Sequence, residues 1–150
     1  MLFLRTIAGA IVGAALILLL SLAIPITPDL SDWGGRAFPR SYLAPLIILA
    51  FISYISTWVG ANMSPRTGRL CGMLASIAAG AVAIGWNFGA RLLEPLFQHP
   101  AYPVFSDHAL LALAVLLVSG HLGGLRVERG FLSRAVERTS AIPESHQMFP

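Results

Sequence analysis

A chain of 150 residues that is 56% hydrophobic and only 11% charged, with mean hydropathy +0.74, has too few charges to solvate a globular surface, where about 25% is usual. This balance excludes an ordinary soluble domain and places the chain in a lipid bilayer. The net charge of +3 is the balance of ten arginines, with no lysine, against seven carboxylates; the arginines flank apolar stretches and form no basic run or base-stacking platform, so nucleic acid is not an expected partner.

Four uncharged windows follow one another: 6–28, 41–65, 70–90 and 109–125. Each approaches or exceeds the roughly 20 residues that cross about 30 Å of hydrocarbon as a helix. Backbone groups in lipid must bond within their own segment, so the windows are helices rather than strands. The expected fold class is all-α: a polytopic bundle of four transmembrane helices, at about 6–25, 41–62, 70–90 and 106–125. The last helix is expected to start near Ser106, whose hydroxyl can cap its first turn. Residues 1–126 form the membrane domain and 127–150 a tail.

The first helix carries Gly9 and Gly13 at the GxxxG spacing that lets helix backbones approach in lipid. Ser21-Leu22-Ala23 resembles a signal-peptidase site, but the apolar run is long for a signal peptide and a proline follows, so the helix is expected to be retained. The second helix is bulky (Leu46, Ile47, Ile48, Leu49, Phe51, Ile52, Tyr54) and is expected to face lipid. Its end holds a small polar patch of Ser56, Thr57 and Asn62. The third is rich in small residues four apart. Gly72, Ser76 and Gly80 make one stripe, and Cys71, Ala75, Ala79 and Ala83 its neighbour, which argues for a central position. The fourth ends in His121-Leu122-Gly123-Gly124, with Ser119 and Gly120 just before. Gly9, Gly13, Gly72, Ser76, Gly80, Gly123 and Gly124 are therefore the candidate packing residues. Beyond Arg126, the four-residue spacing of Val127, Phe131 and Ala135 suggests a short, separate amphipathic helix lying on the membrane surface, with Gly130 against it. The last residues are expected to be unstructured.

Arginine counts set the orientation. Arg5, Arg66, Arg69, Arg126, Arg129, Arg134 and Arg138 fall on one side; Arg36, Arg40 and Arg91 fall on the other, among Asp29, Asp32, Glu94 and Asp107. The arginine-rich side is expected to be cytoplasmic, with both termini inside a bacterial inner membrane. An all-arginine basic complement fits a GC-rich bacterial genome. Trp33, Trp58 and Trp86 fall near helix ends, as interfacial aromatics do.

The halves of the chain look alike. Each has a small-residue helix, an outer loop with three prolines, and a return helix ending in a glycine pair or near-pair, Val59-Gly60-Ala61 and Leu122-Gly123-Gly124. The pattern fits two parallel helical-hairpin repeats about an axis along the membrane normal. It equally fits two unrelated hairpins obeying one topology rule.

Between the second and third helices stands Pro65-Arg66-Thr67-Gly68-Arg69-Leu70. Arg66-Thr67-Gly68-Arg69 resembles the Arg-x-Gly-Arg core of the loop between helices two and three of major facilitator transporters. Pro65 stands in place of that motif's aspartate and Leu70 in place of its last basic residue. The likeness covers about ten residues, and four helices are about a third of that fold, so transport does not carry over.

Ionisable residues inside a membrane usually mark function, and here they are nearly absent. His121 is the deepest. The thirteen-residue interval from His108 to His121 resembles the spacing on a haem-bearing helix of cytochrome b. Helices one to three contain no histidine, so one chain cannot supply bis-histidine ligation. Glu94, His99, Asp107 and His108 fit no standard metal motif, Cys71 has no partner cysteine, and no nucleophile elbow or phosphate loop is present. No cofactor, metal or catalytic residue is expected. The sequence reads best as a small non-catalytic accessory, scaffold or assembly subunit working through helix packing, with another membrane protein or a second copy as partner. The alternative is a small transporter or channel, with Asn62, Asn87 and His121 lining a polar path.

Overall fold

The computed structural model describes residues 2–23, 43–93 and 109–140. Among them are α1 (Leu2–Ala23), α2 (Leu43–Ala61), a single 3-10 turn (Pro65–Thr67), α3 (Gly68–Leu93) and α4 (Ala109–Ser140). The chain is all-α, a bundle of four helices each long and apolar enough to cross a membrane. The large side chains on the circumference are bare: Phe3, Leu4, Ile11, Leu19, Ile47, Phe51, Leu110 and Val118 are all well exposed. Apolar exposure on this scale belongs against lipid tails, not water. The protein is a multi-pass membrane protein.

α2 ends in a tightened turn. Asn62, Met63 and Ser64 donate their backbone N–H groups to the carbonyls of Val59, Gly60 and Ala61. Pro65 occupies the first position of the following turn, where its missing N–H costs nothing. This short link makes α2 and α3 antiparallel neighbours. The start of α1, the end of α2, the start of α3 and the middle of α4 therefore meet at one end of the bundle. That end carries Arg5, Arg66, Arg69, Arg126 and the arginines of α4 beyond it; it is called the basic end below.

α1 packs on α2 and α3, and α4 packs on the same two helices. α2 and α3 also meet across the bundle, whereas α1 and α4 scarcely touch. A twofold axis along the bundle would make the α2–α3 and α1–α4 pairs equivalent. The two hairpins instead run in the same sense and lie side by side, α1 beside α3 and α2 beside α4.

Two expectations change. α2 is not the lipid-facing helix: nine of its residues, from Pro45 to Ala61, are buried. Leu46, Leu49 and Ile52 are buried together with Ser53, Ser56, Thr57 and Gly60, whereas Ile47 and Phe51 point outward. The residues after Arg126 do not form a separate helix on the membrane surface. α4 runs unbroken for 32 residues, about 48 Å at 1.5 Å per residue, well beyond the hydrocarbon thickness. Gly130 costs a helix only about 1 kcal/mol. Flanking contacts outweigh that cost: Val127 is buried, Arg66 sits 5.7 Å from the Phe131 ring centre, and Ser133 Oγ donates to the Gly130 carbonyl. The outer loops, with their prolines, Trp33, the Ser106 cap and the Glu94, His99, Asp107, His108 group, lie outside the described residues, as does the tail after Ser140.

Candidate functional site

Small residues bring the helices to backbone contact near the basic end. A Cβ on Gly9 would stand 2.5 Å from the Gly60 carbonyl oxygen and 3.0 Å from Cys71 Sγ. A Cβ on Gly60 would strike the Gly9 carbonyl in return. On the other hairpin, a Cβ on Gly72 would overlap the Gly120 carbonyl, and one on Gly124 the Gly68 carbonyl. Gly123 faces α2 instead, at Thr57 Oγ1 and the Tyr54 carbonyl. These approaches leave no room for a side chain and are the main attraction between helices that gain nothing from a hydrophobic drive in lipid.

The two stripes of α3 serve different neighbours. Cys71, Ala75, Ala79 and Ala83 are all buried to within 1%. Cys71 and Ala75 meet α1, where a Cβ on Gly13 would lie 3.1 Å from Ala75 Cβ. Gly72, Ser76 and Gly80 meet α4. Gly80 differs from the other two: a Cβ there would reach only the tip of Leu113, at 2.6 Å, and not backbone.

The centre of the bundle is pinned by hydroxyls. Ser53 Oγ of α2 and Ser76 Oγ of α3 both donate to the Leu116 carbonyl of α4, at 3.1 and 2.9 Å. One carbonyl thus accepts hydroxyls from two other helices and holds three helices together. Ser53, Ser76 and Leu116 are fully buried. Thr57 Oγ1 turns back to the Ser53 carbonyl at 2.7 Å, and Ser119 Oγ to that of Val115. Ser56 Oγ is buried and makes no hydrogen bond.

At the basic end, Thr6, Ser64 and Thr67 form a hydroxyl triangle with edges of 3.1, 2.7 and 2.7 Å. Each has one proton, and Thr6 Oγ1 also donates to the Leu2 carbonyl at 3.0 Å, so the three protons serve that bond and two of the three edges at a time. The triangle ties the start of α1 to the α2–α3 turn. Arg69 opens α3 and meets Glu128 of α4. Its Nε and a terminal nitrogen donate to Glu128 Oε1 at 2.9 and 2.6 Å, and its backbone N–H donates to Oε2 at 3.1 Å. The carboxylate, 12% exposed, satisfies an orphan N–H and the positive end of the α3 dipole together.

Every residue of Arg66-Thr67-Gly68-Arg69 therefore has a local structural role. Arg66 lies over Phe131, Thr67 joins the triangle, Gly68 abuts Gly124, and Arg69 holds Glu128. Three of the four contacts are with α4.

The three candidate polar-path residues lie on different elements and at different heights in the bundle. Asn62 is exposed at the basic end, its Nδ2 donating to the Trp58 carbonyl at 2.7 Å. Asn87 is buried nineteen residues beyond Gly68, about 28 Å along α3. His121 is half-buried on α4, next to Gly120 at the level of Gly72. Sequence reasoning singled out neither the hydroxyl triangle nor the Arg69–Glu128 pair. The 59 residues between Arg69 and Glu128 carry no local signal of their contact. Among the described residues no group of three metal-ligating side chains comes together.

No protein-family model, curated protein or solved structure matches this chain.

The basic end also carries a cleft of about 630 Å³, between the end of α2, the turn and α4. Trp58, Asn62 and Pro65 form one wall; Arg126, Val127, Gly130, Phe131 and Arg134 form the other.

Proposed function

We propose that this protein is a small non-catalytic subunit of a bacterial inner membrane, with both termini cytoplasmic, acting as an accessory, scaffold or assembly factor through helix packing. The observation that carries this reading is the filled axis of the bundle. The side chains that would line a lumen, Ser53, Ser76, Ala75, Ala112 and Leu116, are fully buried, and the two serines are bonded from helix to helix. Close-packed, mutually bonded interiors resist the rearrangement that alternating access requires. What remains for function is outside: the lipid-facing perimeter and the end of α4, where Leu132 and Val136 are exposed. A second membrane protein or another copy of this chain is the partner such surfaces suit. Neither a cofactor nor nucleic acid belongs to this reading.

The test combines two measurements on the full chain. Photo-crosslinkers placed at Ile47, Val118 and Leu132 in cells are expected to give one defined adduct, with itself or with a single partner. Vesicles reconstituted with the purified protein are expected to show no solute or ion flux above empty vesicles. Flux that disappears on substituting Asn62, Asn87 or His121 would establish a small transporter or channel instead. A haem band in the absorbance spectrum would equally end the non-catalytic reading.

A further inference from the structure

We infer that the cleft at the basic end is a binding site for the phosphate headgroup of an anionic phospholipid. Arg126, Gly130 and Arg134 stand four apart on one stripe of α4, all facing the cleft. Two guanidiniums thus flank a position with no side chain, and space for a ligand opens over the glycine: a Cβ on Gly130 would meet nothing within 4 Å. Guanidinium forks match phosphate oxygens in pairs. Across the cleft, Trp58 presents a half-exposed indole, and Asn62 uses one amide hydrogen on the Trp58 carbonyl and keeps a second. Phe131 closes the side, with the Arg66 guanidinium behind its ring. The lining contains two cations and no carboxylate among the described residues. Glu128 sits on another face of α4 and is held by Arg69.

The depth of the cleft selects a lipid over a soluble anion. α2 ends at Ala61 and α3 begins at Gly68, so Trp58, Asn62 and Arg126 lie where hydrocarbon gives way to headgroups. Mixed aromatic and basic linings at this level suit a headgroup with its glycerol and first acyl carbons. The volume lies within the usual range of ligand sites, about 300–1,000 Å³. An unbroken α4 is what builds the second wall; a helix bent onto the membrane at Gly130 would carry Arg134 away.

The experiment is native mass spectrometry of the full-length protein in mild detergent, titrated with dioctanoyl phosphatidylglycerol, dioctanoyl phosphatidylcholine or inorganic phosphate. The expected result is one saturable phosphatidylglycerol site, with phosphatidylcholine at least about tenfold weaker. At about fivefold per arginine near a charged surface, the double variant Arg126→Gln/Arg134→Gln should weaken it by roughly 25-fold. Arg129→Gln/Arg138→Gln removes the same net charge outside the cleft lining and should change it less than about threefold. Gly130→Leu keeps every arginine and fills the cleft, and should abolish binding without lowering the melting temperature in detergent. Equal losses in the two double variants would overturn the site in favour of diffuse charge. So would undiminished binding in Gly130→Leu. Saturable inorganic phosphate that phosphatidylglycerol cannot displace would overturn the lipid assignment.

Discussion

The substitution Gly72→Ala isolates the contact that joins α3 to α4. One methyl group would overlap the Gly120 carbonyl oxygen, which belongs to backbone and cannot swing aside. Relief requires the helices to part by roughly 1 Å, and a gap of that size forfeits a quarter to a half of each dispersion contact along the seam. Overpacking of this kind costs about 1–3 kcal/mol. One turn away, the Ser76 bond to Leu116 would stretch from 2.9 Å, adding up to about 1 kcal/mol for a hydrogen bond in a membrane bundle. Alanine returns about 1 kcal/mol through helix propensity. The net expectation is a loss of about 2 kcal/mol for Gly72→Ala, the middle of a range from about 0 to about 3. Gly80→Ala provides the control on the same stripe. Its methyl meets only the Leu113 tip at 2.6 Å, and a rotamer adjustment of about 0.5–1.5 kcal/mol is offset by the same propensity gain. The two variants should differ by about 2 kcal/mol in SDS-driven unfolding from mixed micelles, followed by tryptophan fluorescence. Equal effects would refute the reasoning, because they would mean that any small residue serves and that backbone approach at Gly72 is not special.

Three further outcomes follow from particular contacts. Ser56→Ala removes a buried hydroxyl that has no partner and should stabilise the bundle by about 1 kcal/mol in the same assay; a loss of stability would show that the hydroxyl is satisfied. Glu128→Ala should weaken the bundle more than Arg69→Ala, since the carboxylate serves the Arg69 backbone N–H as well as its side chain; the reverse order would make the pair a simple surface contact. A periplasm-active reporter fused after Leu30 or His99 should give signal, and one at Thr67 or the C-terminus should not, by the arginine asymmetry.

Much of the fold was legible because membranes impose few choices. The uncharged windows located four helices to within a few residues, except where α4 continues past Arg126. Its last four turns carry too many charges to read as a span, so the pattern suggested a new element. What joins them to the span is tertiary: Arg66 on Phe131, and Val127 buried against the bundle. The small residues of α3 signalled close packing, but not which neighbour each stripe would meet. Gly80 looked equivalent to Gly72 because spacing reports a face and not the depth of the partner. α2 misled by its bulk. Leu49 and Ile52 are buried, while Ile47 and Phe51 point out, and hydropathy does not distinguish lipid from core in a chain where both are apolar.

The turn between α2 and α3 best shows where the chain concentrates its specificity. A turn needed only for topology could hold its arginines in water. Here Thr67 bonds back to Thr6 of α1, while Arg66, Gly68 and Arg69 engage Phe131, Gly124 and Glu128 of α4. Four residues, Arg66 to Arg69, thus bring together two helices that scarcely touch one another elsewhere. They also fix the height at which α4 leaves the bundle, and with it the position of Arg126 and Arg134 over the end of α2. Weakening the turn should therefore act at a distance. Thr67→Val removes a hydroxyl from the triangle at nearly constant volume and touches no cleft residue. It should loosen the α1 end, measured as faster hydrogen exchange at residues 2–8, while α4 stays protected to about residue 134. Gly68→Ala should do the opposite, exposing α4 beyond Gly124 and sparing α1. If both variants open both ends together, the turn is one cooperative block, and the division of its residues between α1 and α4 is wrong.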